Sequence, residues 1–227
     1  MNVKLLILLV FLPCNLIAQS FSGLGSTAEG FTNPIPNKSF NFPLDHGSHN
    51  EYRVEWWYLT ANLIGEDGIP YGIQWTLFRT ARSPTEGNSW LSNQIWFAHA
   101  AGTTPKEHFT TERFARGGIG QAGVNAEPFE AWIDEWSLRG ENFDELTLKA
   151  TGSNFSYRMS LEAKGPIVFH GDKGYSIKSS EGQASYYYSQ PFFDIKGILT
   201  LPEGAICLLY TSPSPRDLST SRMPSSA

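Results

Sequence analysis

The stretch Tyr71-Gly72-Ile73-Gln74-Trp75-Thr76-Leu77 alternates large apolar side chains with small or polar ones. This period of two places the apolar set on one face of an extended strand. The same alternation recurs at Phe155–Ala163 and Phe193–Leu201, and turns rich in Gly, Asn and Asp separate such segments. No segment keeps a helical period for three turns. The sequence therefore predicts an all-β, antiparallel protein, either a closed barrel or a sandwich.

The seven tryptophans all lie between Trp56 and Trp136. One Trp buries on the order of 200 Å² and needs a partner for its N–H group. Any single Trp can be ordinary core filling, but the cluster favours an aromatic-lined interior, and barrels of about eight strands can hold one small ligand. We therefore predict a pocket for a lipophilic small molecule. Its candidate residues are Asp45, His46, His49, Trp56, Trp57, Tyr58, Trp75, Trp96 and Trp132.

The N-terminus has the pattern of a secretion signal over residues 1–19. Lys4 precedes the apolar run Leu5–Pro13, and Ala18 offers a small residue for cleavage. The run is too short to span a bilayer, which takes roughly 20 residues. We expect an exported protein, periplasmic or extracellular, without lipid attachment at Cys14. Residues 20–37 are rich in Gly, Pro, Asn and Ser and are expected to form a flexible lead-in.

The C-terminal residues 207–227 have the pattern of a translated sequencing adapter. Two blocks that such an adapter would encode, Cys207–Asp217 and Ser221–Ala227, flank a spacer of the length of a sample index. On this interpretation the native sequence ends at Ile206, the tail is disordered and the chain is a fragment. The alternative is a native disordered tail rich in Ser and Pro.

Removing both ends changes the composition. Three of the 17 Lys and Arg and one of the 22 Asp and Glu lie in them, which leaves a net charge of about −7. Both cysteines also lie there, so the remaining chain has no disulfide to stabilise it. An acidic chain disfavours nucleic acid and anionic lipid surfaces as partners, because both attract basic patches.

Several motifs together resemble one known family. They are Phe42–His49, Glu55–Thr60, Gly72–Arg79, Ala98–Ala100, Trp132–Leu138 and Tyr187–Pro191. The chain resembles, over about Phe40 to Leu201, the carotenoid 1,2-hydratase (hydroxyneurosporene synthase)/AttH superfamily of secreted lipocalin-like proteins. The resemblance implies two consecutive lipocalin-like β-barrels. The first would span residues 38–188, and residues 189–206 would begin a second barrel that is almost wholly missing.

The resemblance also implies a function. Family hydratases add water to an isolated double bond of a long polyene without a cofactor. The full-length protein would thus bind or act on an isoprenoid- or carotenoid-like ligand, as a hydro-lyase. Its acid residues would follow the Tyr187–Pro191 segment, in the missing half, so this fragment is expected to be inactive. The alternative is a non-enzymatic lipid-binding or chaperone component associated with an ABC-type export system. The segment Trp132–Trp136 looks like the missing catalytic motif but is interpreted as structural.

Two residues of the first barrel are weak catalytic candidates, Glu55 and His99. A carboxylate among aromatic side chains has a raised pKa if it is buried and unpaired, although Glu55 could instead pair with Arg53 or Arg79. His99 could equally be a satisfied core histidine. Asp45, His46 and His49 would need a third ligand to hold zinc, and their spacing matches no metal signature. We predict no metal, and we expect these residues to cap the barrel mouth.

Overall fold

The computed structural model describes residues 30–85, 87, 89–179 and 182–210. The predicted signal sequence, including Cys14, and residues 211–227 of the predicted adapter tail lie outside this part. Short 3-10 turns occur at Leu44–His46 and Ser89–Leu91, and no helix of the described residues is long and apolar enough to cross a membrane. The strands are β1 (Val54–Gly65), β2 (Pro70–Ala81), β3 (Gln94–Thr103), β4 (His108–Arg116), β5 (Ala122–Asn125), β6 (Phe129–Ile133), β7 (Trp136–Gly140), β8 (Glu145–Thr151), β9 (Ser156–Ala163), β10 (Val168–Phe169), β11 (Tyr175–Ile177), β12 (Ala184–Tyr186), β13 (Tyr188–Ser189), β14 (Phe193–Leu201) and β15 (Gly204–Tyr210).

Eleven of these strands form one sheet, in the order β4-β3-β2-β1-β15-β14-β9-β8-β7-β6-β5. Two small sheets, β10 with β13 and β11 with β12, accompany it. Every ladder between these strands is antiparallel. The prediction of an all-β, antiparallel fold is therefore confirmed.

The alternating sequence of β2 explains its place in the sheet. Ile73, Trp75 and Leu77 are buried on the inner face, while Gln74 between them is exposed. β2 follows β1 through a tight turn in which Gly68 has a φ of +75°, a conformation that other residues rarely adopt. The Asp67 side chain accepts a hydrogen bond from the Ile69 N–H at 2.9 Å and closes this turn.

The large sheet curls so that its two halves face each other across one apolar core. The Tyr157 hydroxyl of β9 donates to the Gln74 carbonyl of β2 at 2.7 Å. The Arg113 guanidinium of β4 lies 4.6 Å from the ring centroid of Trp136 on β7. Within the described residues no ladder joins β4 to β5, so side chains rather than backbone hydrogen bonds bring these two ends together. The architecture is that of a curled, barrel-like sheet.

β14 lies in the segment that was predicted to begin a second barrel. β14 pairs with β9 from Phe193 to Thr200 and with β15 on its other side. Its apolar residues Ile195 and Leu199 are buried in the same core as the rest of the sheet. A period of two shows that a strand has a buried face but not which sheet it joins. β14 and β15 thus belong to the large sheet of the described part, and the domain boundary at residue 189 stays a prediction.

Two predicted irregular segments also contain ordered backbone. Residues 207–210, predicted to belong to a disordered tail, continue β15 and pair with β14 and β1. The prediction that no fold forms from Cys207 onward is therefore wrong for these four residues. In the predicted flexible lead-in, both the N–H and the carbonyl of Ile35 are hydrogen-bonded to the Tyr186 hydroxyl, at 2.9 and 3.0 Å.

Candidate functional site

A cavity of about 1240 Å³ lies beside β1, and we call it the slot. Residues 54–62 of β1 line it, and they pair with β2 on their other side. Within the described residues, β15 pairs with β1 at Ile64 and Gly65. Its far wall is the chain segment 182–195.

The slot has an apolar inner part and a polar mouth. Odd-numbered residues of β1, such as Leu59 and Ala61, face the core and line the inner part. Phe129, Leu138, Leu146, Phe193 and Ile195 complete this apolar lining. The even-numbered Trp56 and Tyr58 lie at the mouth, on the opposite face of the strand. The slot thus connects the apolar interior of the sheet with the outside.

Aromatic and basic side chains surround the mouth. The hydroxyls of Tyr58 and Tyr187 are 2.6 Å apart and bridge the gap between β1 and its far wall. The His170 ring stacks on the Tyr187 ring with centroids 4.1 Å apart. The Lys178 Nζ also contacts the Tyr187 ring, 4.6 Å from its centroid. Burial lowers the pKa of His170 and the pKa of Lys178, and it raises the pKa of Tyr58.

A network of charged side chains lies at one end of the slot. Glu55 accepts hydrogen bonds from the backbone N–H of His49 and from the Nε of Arg79, both at 2.8 Å. The His49 ring lies between two carboxylates, with Nδ1 2.8 Å from Glu55 Oε1 and Nε2 3.0 Å from Asp45 Oδ1. The hydrogen bond to Glu55 raises the pKa of His49 against the opposing effect of burial. Every member of this network is therefore already paired.

Asp45 is the second carboxylate of the network. Burial alone would raise the pKa of Asp45, but the hydrogen bond from the Asn41 N–H, together with Lys38 and His49, holds it below its usual value. The Lys38 Nζ lies 3.6 Å from its Oδ1. Asp45 is consequently an ionised, structural carboxylate and not a protonated acid.

His46 is buried beneath this network and is neutral. Its ring stacks on Phe143 at 3.9 Å and on Phe42 at 4.4 Å between centroids. Its Nδ1 lies 2.8 Å from the Tyr188 hydroxyl, which in turn donates to the Asp45 carbonyl at 3.1 Å. Burial lowers the pKa of His46 to about 4. His46 therefore anchors the loop before β1 to the core.

The other predicted pocket residues are distributed over the sheet. Trp57 and Trp96 stack in the core with centroids 5.9 Å apart, and the Trp57 Nε1 donates to the His46 carbonyl at 2.9 Å. Trp75 is fully buried and does not line the slot. Trp132 lies over Gly123 and donates to the Gly120 carbonyl at 3.0 Å, away from the slot. Of the predicted residues, the structure brings Asp45, His49, Glu55, Trp56, Trp57 and Tyr58 together around the slot.

The remaining candidates have structural positions. His99 is not a core histidine, because the register of β3 turns Ala98 and Ala100 inward and leaves His99 exposed, 3.9 Å from Glu112. Residues Trp132–Trp136 form the β6–β7 hairpin, in which Asp134 has a φ of 51°. The Arg113 guanidinium donates to Glu135 there at 2.8 Å. The turn of this hairpin contacts β4 through Arg113, and none of residues 132–136 lines the slot.

Sequence reasoning did not identify Tyr187, His170 and Lys178 as site residues. These residues lie between β9 and β14, in the part of the chain that forms the two small sheets. They are far from β1 in the sequence, and the fold brings them to the same cavity. Arg79 was considered only as a possible partner of Glu55, although a charged residue in an apolar strand signals a buried ion pair. Arg79 is fully buried and also donates to the carbonyls of His49 and Tyr52, at 2.8 and 2.6 Å.

The described slot offers binding chemistry more than acid catalysis. Asp45 and Glu55 are its lining carboxylates, and both are occupied by hydrogen bonds within the network. Both ring nitrogens of His49 face these carboxylates, so His49 directs no proton into the cavity. Among the described residues, no group of three His, Cys, Asp or Glu side chains is arranged to hold a metal ion.

Comparison with known proteins relates this fold to characterised structures. The family model described as AttH-like matches residues 33–212. The crystal structure of a protein assigned as AttH from Nitrosomonas europaea is 30% identical, with a TM-score of 0.70, over 80% of this chain and 56% of that one. Kievitone hydratase from Nectria haematococca is 10% identical, with a TM-score of 0.54, over 79% of this chain and 51% of that one, a likeness of fold alone. No curated protein sequence matches significantly. The chain spans about half the length of both solved structures.

Proposed function

Because the chain belongs to the AttH-like family, we propose that it provides the binding site for a lipophilic ligand, isoprenoid- or carotenoid-like, in the inner part of the slot. The observation that carries this proposal is the cavity itself. Its volume of about 1240 Å³ exceeds that of most small-molecule pockets, as a long apolar chain requires. Leu59, Leu138, Leu146 and Ile195 provide the apolar lining, and the aromatic mouth provides an entry.

Catalysis in the full-length protein is a separate matter. A cofactor-independent hydration needs an acid that protonates the double bond and a water that captures the cation. Asp45 and Glu55 are engaged with His49 and Arg79, so we place the proton donor of a hydratase outside the described residues. In this proposal the described sheet binds the polyene, and the rest of the full-length protein supplies the acid.

The alternative is a non-enzymatic lipid carrier that works with an ABC-type exporter. The paired state of the slot carboxylates favours this alternative as far as the described part is concerned. An exported protein with the predicted signal sequence would meet its ligand outside the cytoplasm. Assaying the full-length protein for hydration of a polyene distinguishes the two functions, because a carrier binds the polyene without consuming it.

The binding proposal is tested with retinol, a neutral isoprenoid alcohol, by energy transfer from tryptophan. We expect saturable binding that Ala61→Phe weakens at least tenfold, because the added ring projects into the inner part of the slot. Thr147→Phe on β8 is the matched control, since Thr147 does not line the cavity. Unchanged retinol affinity in Ala61→Phe would refute the proposed site.

A second pair of variants covers the case in which Ala61→Phe does not fold. Trp56→Ala removes an aromatic ring at the mouth, and Trp90→Ala removes an exposed ring that does not line the slot. We expect the affinity for retinol to fall severalfold in Trp56→Ala alone. Equal affinities of the two variants would also count against the slot.

A further inference from the structure

The charged side chains that line the slot are not evenly distributed. At one end the two carboxylates are already paired with basic groups. Asp45 lies beside Lys38 and His49, and Glu55 lies beside His49 and Arg79. The positive and negative charges of this end therefore compensate one another, and a charged group of a ligand would gain little there.

The mouth of the slot holds a second polar group of a different kind. The hydroxyls of Tyr58 and Tyr187 are 2.6 Å apart, and the His170 Nε2 lies 2.7 Å from the Ser189 hydroxyl. The Lys178 Nζ lies 4.6 Å from the centroid of the Tyr187 ring, on which the His170 ring also stacks. All five residues line the slot, and we call them the mouth cluster. They bring together three hydroxyls, one imidazole and one ammonium group.

The mouth cluster contains the hydrogen-bond donors that an anion needs. The hydroxyls of Tyr58 and Tyr187 share one hydrogen bond, which uses one of their two protons and leaves the other for a further acceptor. Lys178 adds an ammonium group beside the same Tyr187 ring. A carboxylate has two oxygens, so it can accept one hydrogen bond from a hydroxyl and another from an ammonium group at the same time.

The electrostatics of the mouth cluster favour an anion over a neutral group. Burial lowers the pKa of Lys178, so the positive charge of this side chain is partly desolvated. Burial also lowers the pKa of His170, and the charge of Lys178 lowers it further. A negative group that binds beside these side chains offsets both effects, whereas an alcohol or a hydrocarbon offsets neither.

The mouth cluster also lies next to the apolar inner part of the slot. Tyr58 and Leu59 are neighbours on β1, and the alternation of the strand turns Leu59 to the inner part and Tyr58 to the mouth. A ligand with its chain along Leu59 can therefore place a polar end group at the Tyr58–Tyr187 pair. This arrangement suits an amphipathic molecule with one apolar chain and one charged end.

We propose that the slot takes a long-chain carboxylic acid, whose carboxylate is bound by Lys178 and by the hydroxyl pair of Tyr58 and Tyr187. This inference rests on the proposed function for the apolar chain and adds the chemical class of the head group. Lys178 supplies the positive charge, and the hydroxyl pair supplies a directed donor. His170 and Ser189 position the cluster, because the His170 ring stacks on Tyr187 while its Nε2 is held at the Ser189 hydroxyl.

Retinol and retinoic acid test this inference, because they share one apolar chain and differ in the head group. Binding of both is measured by quenching of tryptophan fluorescence, at a pH that ionises the acid. We expect retinoic acid to bind about tenfold more tightly than retinol, since hydrogen bonds to charged groups are the stronger ones. Lys178→Met should remove this preference and leave the affinity for retinol unchanged. Lys178→Arg keeps the charge and should retain most of the preference.

Lys106→Met is the matched control, because it removes one positive charge from an exposed loop that does not line the slot. It should leave both affinities unchanged. Ala61→Phe should weaken the binding of both ligands, because both place their chain in the inner part of the slot.

The outcomes separate this inference from the proposed function. Equal affinities of the unsubstituted chain for the two ligands would overturn the carboxylate site, and so would an equal loss of both affinities in Lys178→Met. Either result would leave retinol binding in the slot, and with it the proposed function, intact. Retinoic acid binding that Ala61→Phe does not weaken would place the acid outside the slot and would also overturn the inference. If neither ligand binds, both proposals are refuted.

Discussion

The Nε of Arg79 donates to Oε2 of Glu55 at 2.8 Å, directly across the β1–β2 ladder. Arg79 is fully buried, and its guanidinium also binds the carbonyls of His49 and Tyr52. One side chain thus fixes both the start of β1 and the loop that precedes it. The planar guanidinium suits this role, because it holds several acceptors in one fixed geometry.

We predict that Arg79→Met destabilises the protein by about 3–5 kcal/mol, because it removes the guanidinium that pairs with Glu55 in a mostly buried site. Arg79→Lys should recover only part of this loss, since lysine has the charge but not the fork of donors. Urea unfolding measures the difference. Arg139→Met, in an exposed pair with Glu130 at 3.8 Å, is the control and should change stability by less than about 0.5 kcal/mol. Similar losses for both methionine variants would contradict the role assigned to Arg79.

His46 gives the stability a specific dependence on acid. Burial lowers its pKa to about 4 in the folded protein, against 6.5 in the unfolded chain. Between these values the unfolded chain binds more protons, so stability falls as pH decreases from about 6.5 towards 4, by on the order of 2–3 kcal/mol. The raised pKa of His49 acts above pH 6.5 and does not contribute to this window. Unfolding at several pH values should show that His46→Gln flattens the acid side of the profile, and a fully retained slope would exclude His46 as its source.

Two buried tryptophans form a matched pair. Both are fully buried, but the Trp136 Nε1 donates to the Thr151 carbonyl at 3.0 Å, whereas the Trp75 Nε1 has no hydrogen-bond partner among the described residues. Trp136→Phe should therefore lower the free energy of unfolding by about 1 kcal/mol more than Trp75→Phe does. Trp136→Phe removes a hydrogen bond, whereas Trp75→Phe removes an N–H group that has no partner among the described residues. Thermal and urea unfolding of the two variants measure the difference. A larger cost for Trp75→Phe would indicate that its N–H is satisfied.

The position of β14 has a consequence for truncation at Ser189. If the residues after Ser189 formed only the opening strand of a second barrel, removing them would make the chain more soluble. In the structure this cut deletes β14 and β15 and exposes the faces that Phe193, Ile195, Leu199 and Leu201 cover. At about 1.5–3 kcal/mol for each side chain, the loss approaches the whole stability of a domain. We predict aggregation and no cooperative unfolding for the chain ending at Ser189, in contrast to one ending at Tyr210. Equal solubility and cooperative unfolding of both would support the original boundary.

The sequence predicted the strands well where one face is buried. The alternation at residues 71–77 corresponds to β2, and those at 155–163 and 193–201 correspond to β9 and β14. It could not predict that β14 lies between β9 and β15, since neighbour choice depends on turn geometry and long-range packing. The same limit applies to the domain boundary that was predicted at residue 189.

The site was predictable only in part. Trp56 and Tyr58, which were named from the sequence as pocket residues, line the slot. Their partner Tyr187 is 129 residues away from Tyr58, and no local pattern links the two. Whether Glu55 is a free acid or an ion-pair partner depended on the β1–β2 register, which places Arg79 opposite it.

The β1–β15 ladder also bears on the order in which the protein folds. Strands β1 to β4 and strands β5 to β9 are each joined by hairpins between neighbours in the chain, whereas Ile64 and Leu209 lie about 145 residues apart. Hairpins close small loops and form early, while distant pairs carry the largest cost in loop entropy. The first four strands can thus assemble while the remainder is still being synthesised. Joining the two halves through β1 and β15 is then a late step, because this pairing closes the longest loop in the sheet.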